Sequence, residues 1–391
     1  MTLLRGSDEG RDNAVAPGNK WVEEGALRLF LKGLGASVGM DGQDLVYFME
    51  GILDAELCGK ASHGLALVPA YIGAVASGRI SARPRVEVVR SYGATCVLDG
   101  GNGLGHVVLA RAMDKAVEVA HGFGVGLVAV GNSNHAGMLA FAAQRAVACG
   151  MVGFVTSGGP AVMAPWGGKE PRLGTSPFAW AIPTAGSHPI VFDSGCSVTA
   201  RRRIRRAAAA GERIPEGWAL GPGGAPTTDP SEALRGSLLP FGGHKGYGLA
   251  LVHEVLVCAL AGGALAAEID SPFLRSESSD LDPWGIGQLA LAINPGAFLP
   301  DFGEVAWRVV ASVTSGSPLH DGEPVMFPGQ RAGEMRDQRR RSGVPVTASL
   351  LAELDRTARR VGASPLERLR DGTVAPEDVE SEAPSRQTWP V

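Results

Sequence analysis

Two of the eight histidines stand where an imidazole can meet a ligand. His63 lies between Ser62 and Gly64, and His135 between Asn134 and Ala136, each among small residues at the boundary of an expected element. Imidazole changes charge near neutral pH, so either ring suits proton transfer, and either can equally be a capping or packing group. Asp193 closes the strand-like run Pro189-Ile-Val-Phe-Asp193. Its carboxylate can orient an imidazole and favour the charged form, or serve as an ordinary N-cap of the next helix. Gly242-Gly-His-Lys-Gly-Tyr-Gly248 opens a long helix, bringing backbone amides, His244 and Lys245 to its start. That arrangement suits an anion such as a pyrophosphate.

The elements that must position these groups centre on Gly126 to Ser197. Gly126-Leu-Val-Ala-Val130 is short and apolar and reads as a buried strand, emptying into Gly131-Asn-Ser-Asn-His135-Ala-Gly137. A helix is expected over Met138 to Cys149 and a second strand over Met151 to Thr156. Polar groups thus recur at the ends of apolar strands, where a cleft collects them.

Upstream, helical spacing runs over Trp21 to Leu34, Asp41 to Leu57 with Asp41 as N-cap, and Leu65 to Val75. His63 then precedes a helix start, where the dipole opposes an extra positive charge. Arg85 to Asp99 reads as a hairpin or a bent strand, Gly100 to Gly105 as a tight turn and Val107 to Ala120 as a helix. Gly122-Phe-Gly-Val-Gly126 has glycines like those of a dinucleotide fingerprint, but a helix precedes and a strand follows. The order is reversed, so a helix C-cap is expected. Val198 to Ala210, with Arg201, Arg202, Arg203, Arg205 and Arg206, reads as a helix with a solvated face. Gly287 to Asn294 is an apolar strand and Ala348 to Val361 a last amphipathic helix.

A chain of 391 residues divides into two or three domains, and 45% hydrophobic residues can bury a large interior. The net charge of −4 gives no footprint for nucleic acid or a polybasic membrane surface. Leu249 to Ala267 is the longest apolar stretch, but His253 and Glu254 interrupt it, so a buried helix is expected. The five cysteines are widely spaced and odd in number, which points to a reducing, cytoplasmic setting. The N-terminal residues lack the apolar core of a signal peptide. Met1 to Lys20, a Ser276 to Pro283 loop and the tail from Asp371 to Val391 read as irregular or disordered segments.

Five motifs in one order resemble the malate/L-lactate dehydrogenase type-2 oxidoreductases, which include ureidoglycolate dehydrogenase, 2,3-diketogulonate reductase and Δ1-piperideine-2-carboxylate reductase. They are Asn132-Ser-Asn-His135, Ala164-Pro-Trp-Gly-Gly168, Leu173-Gly-Thr175, Ile214-Pro-Glu-Gly-Trp-Ala219 and Leu239 to Leu249, preceded by Ser62-His63-Gly64 and Pro69-Ala-Tyr71. The resemblance implies an α/β (α+β) fold that is not Rossmann. A cofactor domain on a mixed, largely antiparallel sheet joins a helical and sheet domain built from both chain ends. The expected division is a tail 1–20, an N-terminal substrate and dimerisation domain 21–125, a cofactor domain 126–304, a returning segment 305–370 and a tail 371–391.

The activity implied is hydride transfer between NAD or NADP and a small-molecule or carrier-linked substrate, in a homodimer without metal. On the matching positions, His63 is the expected general acid, hydrogen-bonded to Ser62 and Asp193. His135 positions substrate or cofactor, though in some members it is the acid/base. Thr175, Asp193, Ser194, Gly195, His244, Lys245, Gly329, Gln330 and Arg331 are the implied cofactor contacts, and Leu67, Tyr71 and His135 the substrate contacts.

Four positions depart from the family pattern. Leu67 stands where an arginine usually grips a substrate carboxylate, Gly158 ends a run that usually reads Thr-Asn-Ser, Ser176 replaces an asparagine, and Ser194-Gly-Cys-Ser197 replaces Met-Ala-Thr-Ser. Burying a carboxylate against Leu67 without another cation would cost several kcal/mol. A cyclic imine, a larger ketone or a carrier-linked 2-oxo acyl group is therefore expected, unless Arg111 or Arg203 supplies the charge. A proton-transfer enzyme or a non-catalytic nucleotide-binding dimer on the same scaffold are the competing expectations.

Overall fold

The computed structural model describes residues 19–269, 284–320 and 322–370. The expectations for the two tails, apart from residues 19–20, and for the Ser276 to Pro283 loop lie outside them. The described residues form two compact units, one from residues 19–76 and 331–370, the other within Ser77–Gln330.

In the first unit, Glu24–Ser37 and Gly42–Leu57 pack as neighbouring helices because Leu27, Phe30, Leu31 and Leu34 recur at helical spacing and face Phe48 and Ile52. The helix expected from Trp21 starts later: Lys20–Val22 is a strand, paired antiparallel with Val344–Val346. The helix expected from Leu65 begins as the 3-10 turn Leu65–Leu67 and becomes α-helical only over Val68–Ala76. Ala348–Val361 is a helix capped by the Thr347 hydroxyl, which accepts from the Leu350 N–H.

The second unit is organised by a seven-stranded sheet. Its order is Glu87–Tyr92, Thr95–Asp99, Val125–Ser133, Ile286–Ile293, Val152–Ser157, Phe178–Ile182 and Ile190–Ser194. Only Thr95–Asp99 with Val125–Ser133 is parallel, so the sheet is mixed and largely antiparallel, unlike the parallel sheet of a Rossmann domain. The central strands alternate apolar residues to both faces. Val128, Val130, Val155, Ala290 and Ala292 pack with Leu109, Met113, Ala143 and Ala146 of the helices Gly105–Phe123 and Leu139–Ala148. Ala129, Phe154, Phe178 and Leu289 form the other core with Ile204, Leu238, Ala250 and Val257. The glycines around Gly124 cap a helix, Gly124 itself having φ +77.

The Leu249 to Ala267 stretch is not one buried helix. The helix runs His244–Ala259 and buries one stripe, Ala250, His253, Glu254 and Val257. Because it is apolar all round, Leu251, Val252 and Val255 remain 42%, 55% and 54% exposed. Among the described residues, no helix is long and apolar enough to cross a membrane.

Candidate functional site

The glycine turn Gly100–Gly105 forms the bed of the His135 loop. Gly100 N–H donates to Gly131 O at 2.8 Å, and Asn102 N–H to Asn132 O at 3.0 Å. The Asn134 amide donates to Asn102 Oδ1 at 2.9 Å and Gly103 O at 2.8 Å, while Asn132 donates to Asp99 Oδ1 at 2.8 Å. Asn102 and Asn132 both have positive φ, +55 and +52, a conformation asparagine tolerates better than most residues. Asn134, Ser133 and Gln288 are at most 1% exposed.

His135 leaves this loop half-buried, and burial pushes its pKa from 6.5 down to about 4. The ring is therefore neutral at pH 7. Unfolding exposes a histidine that binds its proton near pH 6.5, so the unfolded chain takes up more protons between pH 6.5 and 4. The stability contributed by the neutral ring is full above pH 6.5 and is lost as pH falls towards 4, in total on the order of 3 kcal/mol. Urea midpoints between pH 4 and 7 are expected to show this slope in the wild-type chain and to lose that component in His135→Gln.

Asp193 reaches the start of the helix Leu139–Ala148 that follows the His135 loop. Its Oδ2 accepts from Ala140 N–H at 2.8 Å, so the carboxylate caps Leu139–Ala148, which precedes it in the chain, rather than a following helix. Ser194 Oγ donates to Gly195 O at 3.0 Å. Cys196 N–H donates to Thr175 O at 2.7 Å, Phe241 N–H to Cys196 O at 2.9 Å and Gly246 N–H to Phe241 O at 3.0 Å. These bonds gather Thr175, Ser194, Gly195 and the start of His244–Ala259 into one cluster. Gly242 and Gly243 enter that helix at φ +55 and +62, and His244 and Lys245 are exposed on its first turn. Trp166, 61% exposed, lies against Gly243: an added Cβ would come within 2.7 Å of its ring.

Gly329 adopts φ +97 beside the edge strand Ile190–Ser194, where Val191 N–H donates to Pro328 O at 2.9 Å. Gln330 starts the helix Gln330–Ser342, and Arg331 is the first residue returning to the other unit. A dinucleotide fits the donor set of the second unit: a cation on the first turn of a 16-residue helix, entered by glycines that admit close approach.

Ser62, His63, Leu67 and Tyr71 belong to the first unit. Ser62 Oγ lies 2.8 Å from His63 Nδ1, the contact expected from the sequence. Leu67 is 8% and Tyr71 2% exposed, and burial raises the Tyr71 pKa. Glu56, 2% exposed, was not singled out from the sequence, yet its Oε1 accepts from Leu65 N–H at 2.7 Å and packs against Gly64. Glu56 thereby anchors the turn that follows His63. No spacing rule marks such a carboxylate in advance.

The departure at Ser176 and the alternative cation Arg203 also have structural counterparts. Ser176 has φ +41, is 1% exposed, and its hydroxyl makes no hydrogen bond among the described residues. Its carbonyl accepts from the Cys196 thiol at 3.3 Å and lies 3.5 Å from His253 Nδ1. Arg203 stacks 4.9 Å above the Trp218 ring, and Arg201 Nη2 donates to Leu234 O. The basic helix is therefore only partly a solvated face, and Arg203 is held by a cation–π contact.

A family model described as malate/L-lactate dehydrogenase matches residues 22–355. The chain is 36% identical over 309 residues to (2R)-3-sulfolactate dehydrogenase (NADP(+)) of Chromohalobacter salexigens, covering 78% of this chain and 88% of that one. Among solved structures, sulfolactate dehydrogenase of Methanocaldococcus jannaschii aligns with a TM-score of 0.80 at 31% identity, over 89% of this chain and 99% of that one. The Δ1-piperideine-2-carboxylate reductase of Pseudomonas syringae aligns with a TM-score of 0.78 at 28% identity, over 87% and 100%.

Proposed function

Because the chain belongs to the malate/L-lactate dehydrogenase family, and is thereby an NAD(P)-dependent oxidoreductase, we propose that it moves hydride to or from a 2-oxo/2-hydroxy acid derivative, a ketone or a cyclic imine. The observation that carries this reading is the cluster joining Thr175, Ser194 and Gly195 to the Lys245 helix start. When bound, the nicotinamide supplies or accepts the hydride. Lys245 and the helix start hold the phosphates, and the glycines let backbone approach them. His63, restrained at Nδ1 by Ser62, gives the proton to the substrate oxygen or nitrogen and takes it back in reverse. His135, neutral at pH 7, orients the substrate through a hydrogen bond.

Leu67 brings no cation, so the preferred substrate is one whose acidic group, if any, is not read at that position. The exposed Leu251, Val252 and Val255 support a homodimer that covers this face. The five free cysteines support a reducing compartment.

Nicotinamide fluorescence, titrated separately with NADH and NADPH, tests the reading. Micromolar binding of at least one is expected, with Kd raised about 30- to 100-fold in Lys245→Ala, the loss of one charge-assisted contact. If neither nucleotide binds the wild-type protein, the redox reading fails.

A further inference from the structure

Gln288 lies in the middle of the sheet, 0% exposed, on the strand Ile286–Ile293 between Val125–Ser133 and Val152–Ser157. A primary amide inside an otherwise apolar strand is costly unless both its ends are used. Both are used, two bonds on the residues just before His135 and one on the start of the helix Gly105–Phe123. Gln288 Oε1 accepts from Ser133 Oγ at 3.0 Å, and Nε2 donates to Asn134 O at 3.2 Å and to Gly105 O at 3.3 Å. The pairing register with Val125–Ser133 shifts between Ile286 and Gln288, where the two residues Gly131 and Asn132 stand opposite the single Gly287.

We infer that Gln288 is the positioning residue for His135: one amide ties the two residues before it to the start of the helix Gly105–Phe123. Two of these bonds restrain Ser133 and Asn134 and the third fixes the amide against the helix start, so the loop presents His135 in a restricted orientation. The ties from Asn134 to Asn102 and Gly103 bind the loop to the turn alone, and Asn132, further from His135, reaches Asp99 at the end of the strand Thr95–Asp99. Gln288 is the side chain that fastens Ser133, Asn134 and the helix start at once from the middle of the sheet. The inference rests on the proposed role of His135 only for its functional meaning; the positioning itself can be measured without substrate.

The test follows the His135 imidazole by NMR in the full-length protein, its resonance assigned by its loss in His135→Gln. The wild-type ring is expected to titrate with a midpoint about 4. In Gln288→Met, which keeps the side-chain length and removes the amide, the loop is released and the midpoint is expected to rise by at least about one unit towards the ordinary 6.5. A merely structural loss would lower Tm and leave the midpoint of the folded protein where it was. Ser133→Ala removes a single arm and serves where Gln288→Met does not fold; a smaller rise in the same direction is expected. An unmoved midpoint in the folded variant overturns the inference. Binding of NADH and NADPH is measured on the same samples. Its absence from the wild-type protein counts against the proposed function and leaves the positioning of His135 to the titration.

Discussion

His63→Gln is expected to lower kcat by about 10²- to 10⁴-fold on whichever 2-oxo acid, ketone or imine is turned over, while nicotinamide binding stays within a few-fold of wild type. Glutamine can keep a hydrogen bond to Ser62 but cannot gain and lose a proton near neutral pH. The competing donor is His135, and its burial argues against that role. With a pKa about 4, roughly one ring in a thousand carries a proton at pH 7, so a donor there works at low occupancy. His135→Gln is therefore expected to raise KM more than it lowers kcat, by about tenfold, as a lost orienting hydrogen bond does. Steady-state kinetics of both variants from pH 5 to 9 distinguish the two. If His135→Gln carries the larger kcat loss and His63→Gln is near wild type, the roles are exchanged.

Gly105→Ala is expected to destabilise the protein by about 3 kcal/mol or more, against the usual gain from replacing glycine by alanine in a helix. A Cβ at this position lands on the Asn134 carbonyl oxygen and 2.5 Å from the His135 carbonyl carbon. These are backbone atoms of a loop tied by Gln288, Asn102 and Gly103, so no flexible side chain can yield. Either the helix start or the His135 loop must move. Gly122 near the end of the same helix is the control, because a Cβ there meets nothing within 4 Å. Gly122→Ala is expected to be neutral or to stabilise by up to about 1 kcal/mol. For a chain of this size, thermal unfolding should put the two variants roughly 4–5 °C or more apart. Equal Tm values would mean that the turn and the loop are not locked together.

The elements that local patterns specify were legible in the sequence. Short apolar runs marked the strands around Val128 and Leu289, helical spacing marked Ala348–Val361 to its ends, and the glycine at 124 marked a helix stop. The family order of motifs, rather than periodicity, carried the sheet type and the implied dinucleotide contacts. What the chain alone could not specify is what depends on partners distant in sequence. The Lys20–Val22 strand forms because Val344–Val346 lies beside it, and three residues have no periodicity strong enough to announce that. The apolar run after Leu249 looked buried on all sides, yet only the packing against the sheet decides which stripe is covered. Asp193 was legible as an imidazole partner or as a cap of the helix that follows it, but only the strand order shows that the helix it caps is Leu139–Ala148. Gln288 and Glu56 carried no signal, since each acts through hydrogen bonds to residues 9 to 183 positions away. Residue type and spacing determined which groups can do chemistry here; tertiary contacts decided which are held still, because a hydrogen bond in a buried place restrains a loop however far apart its two ends lie in the chain.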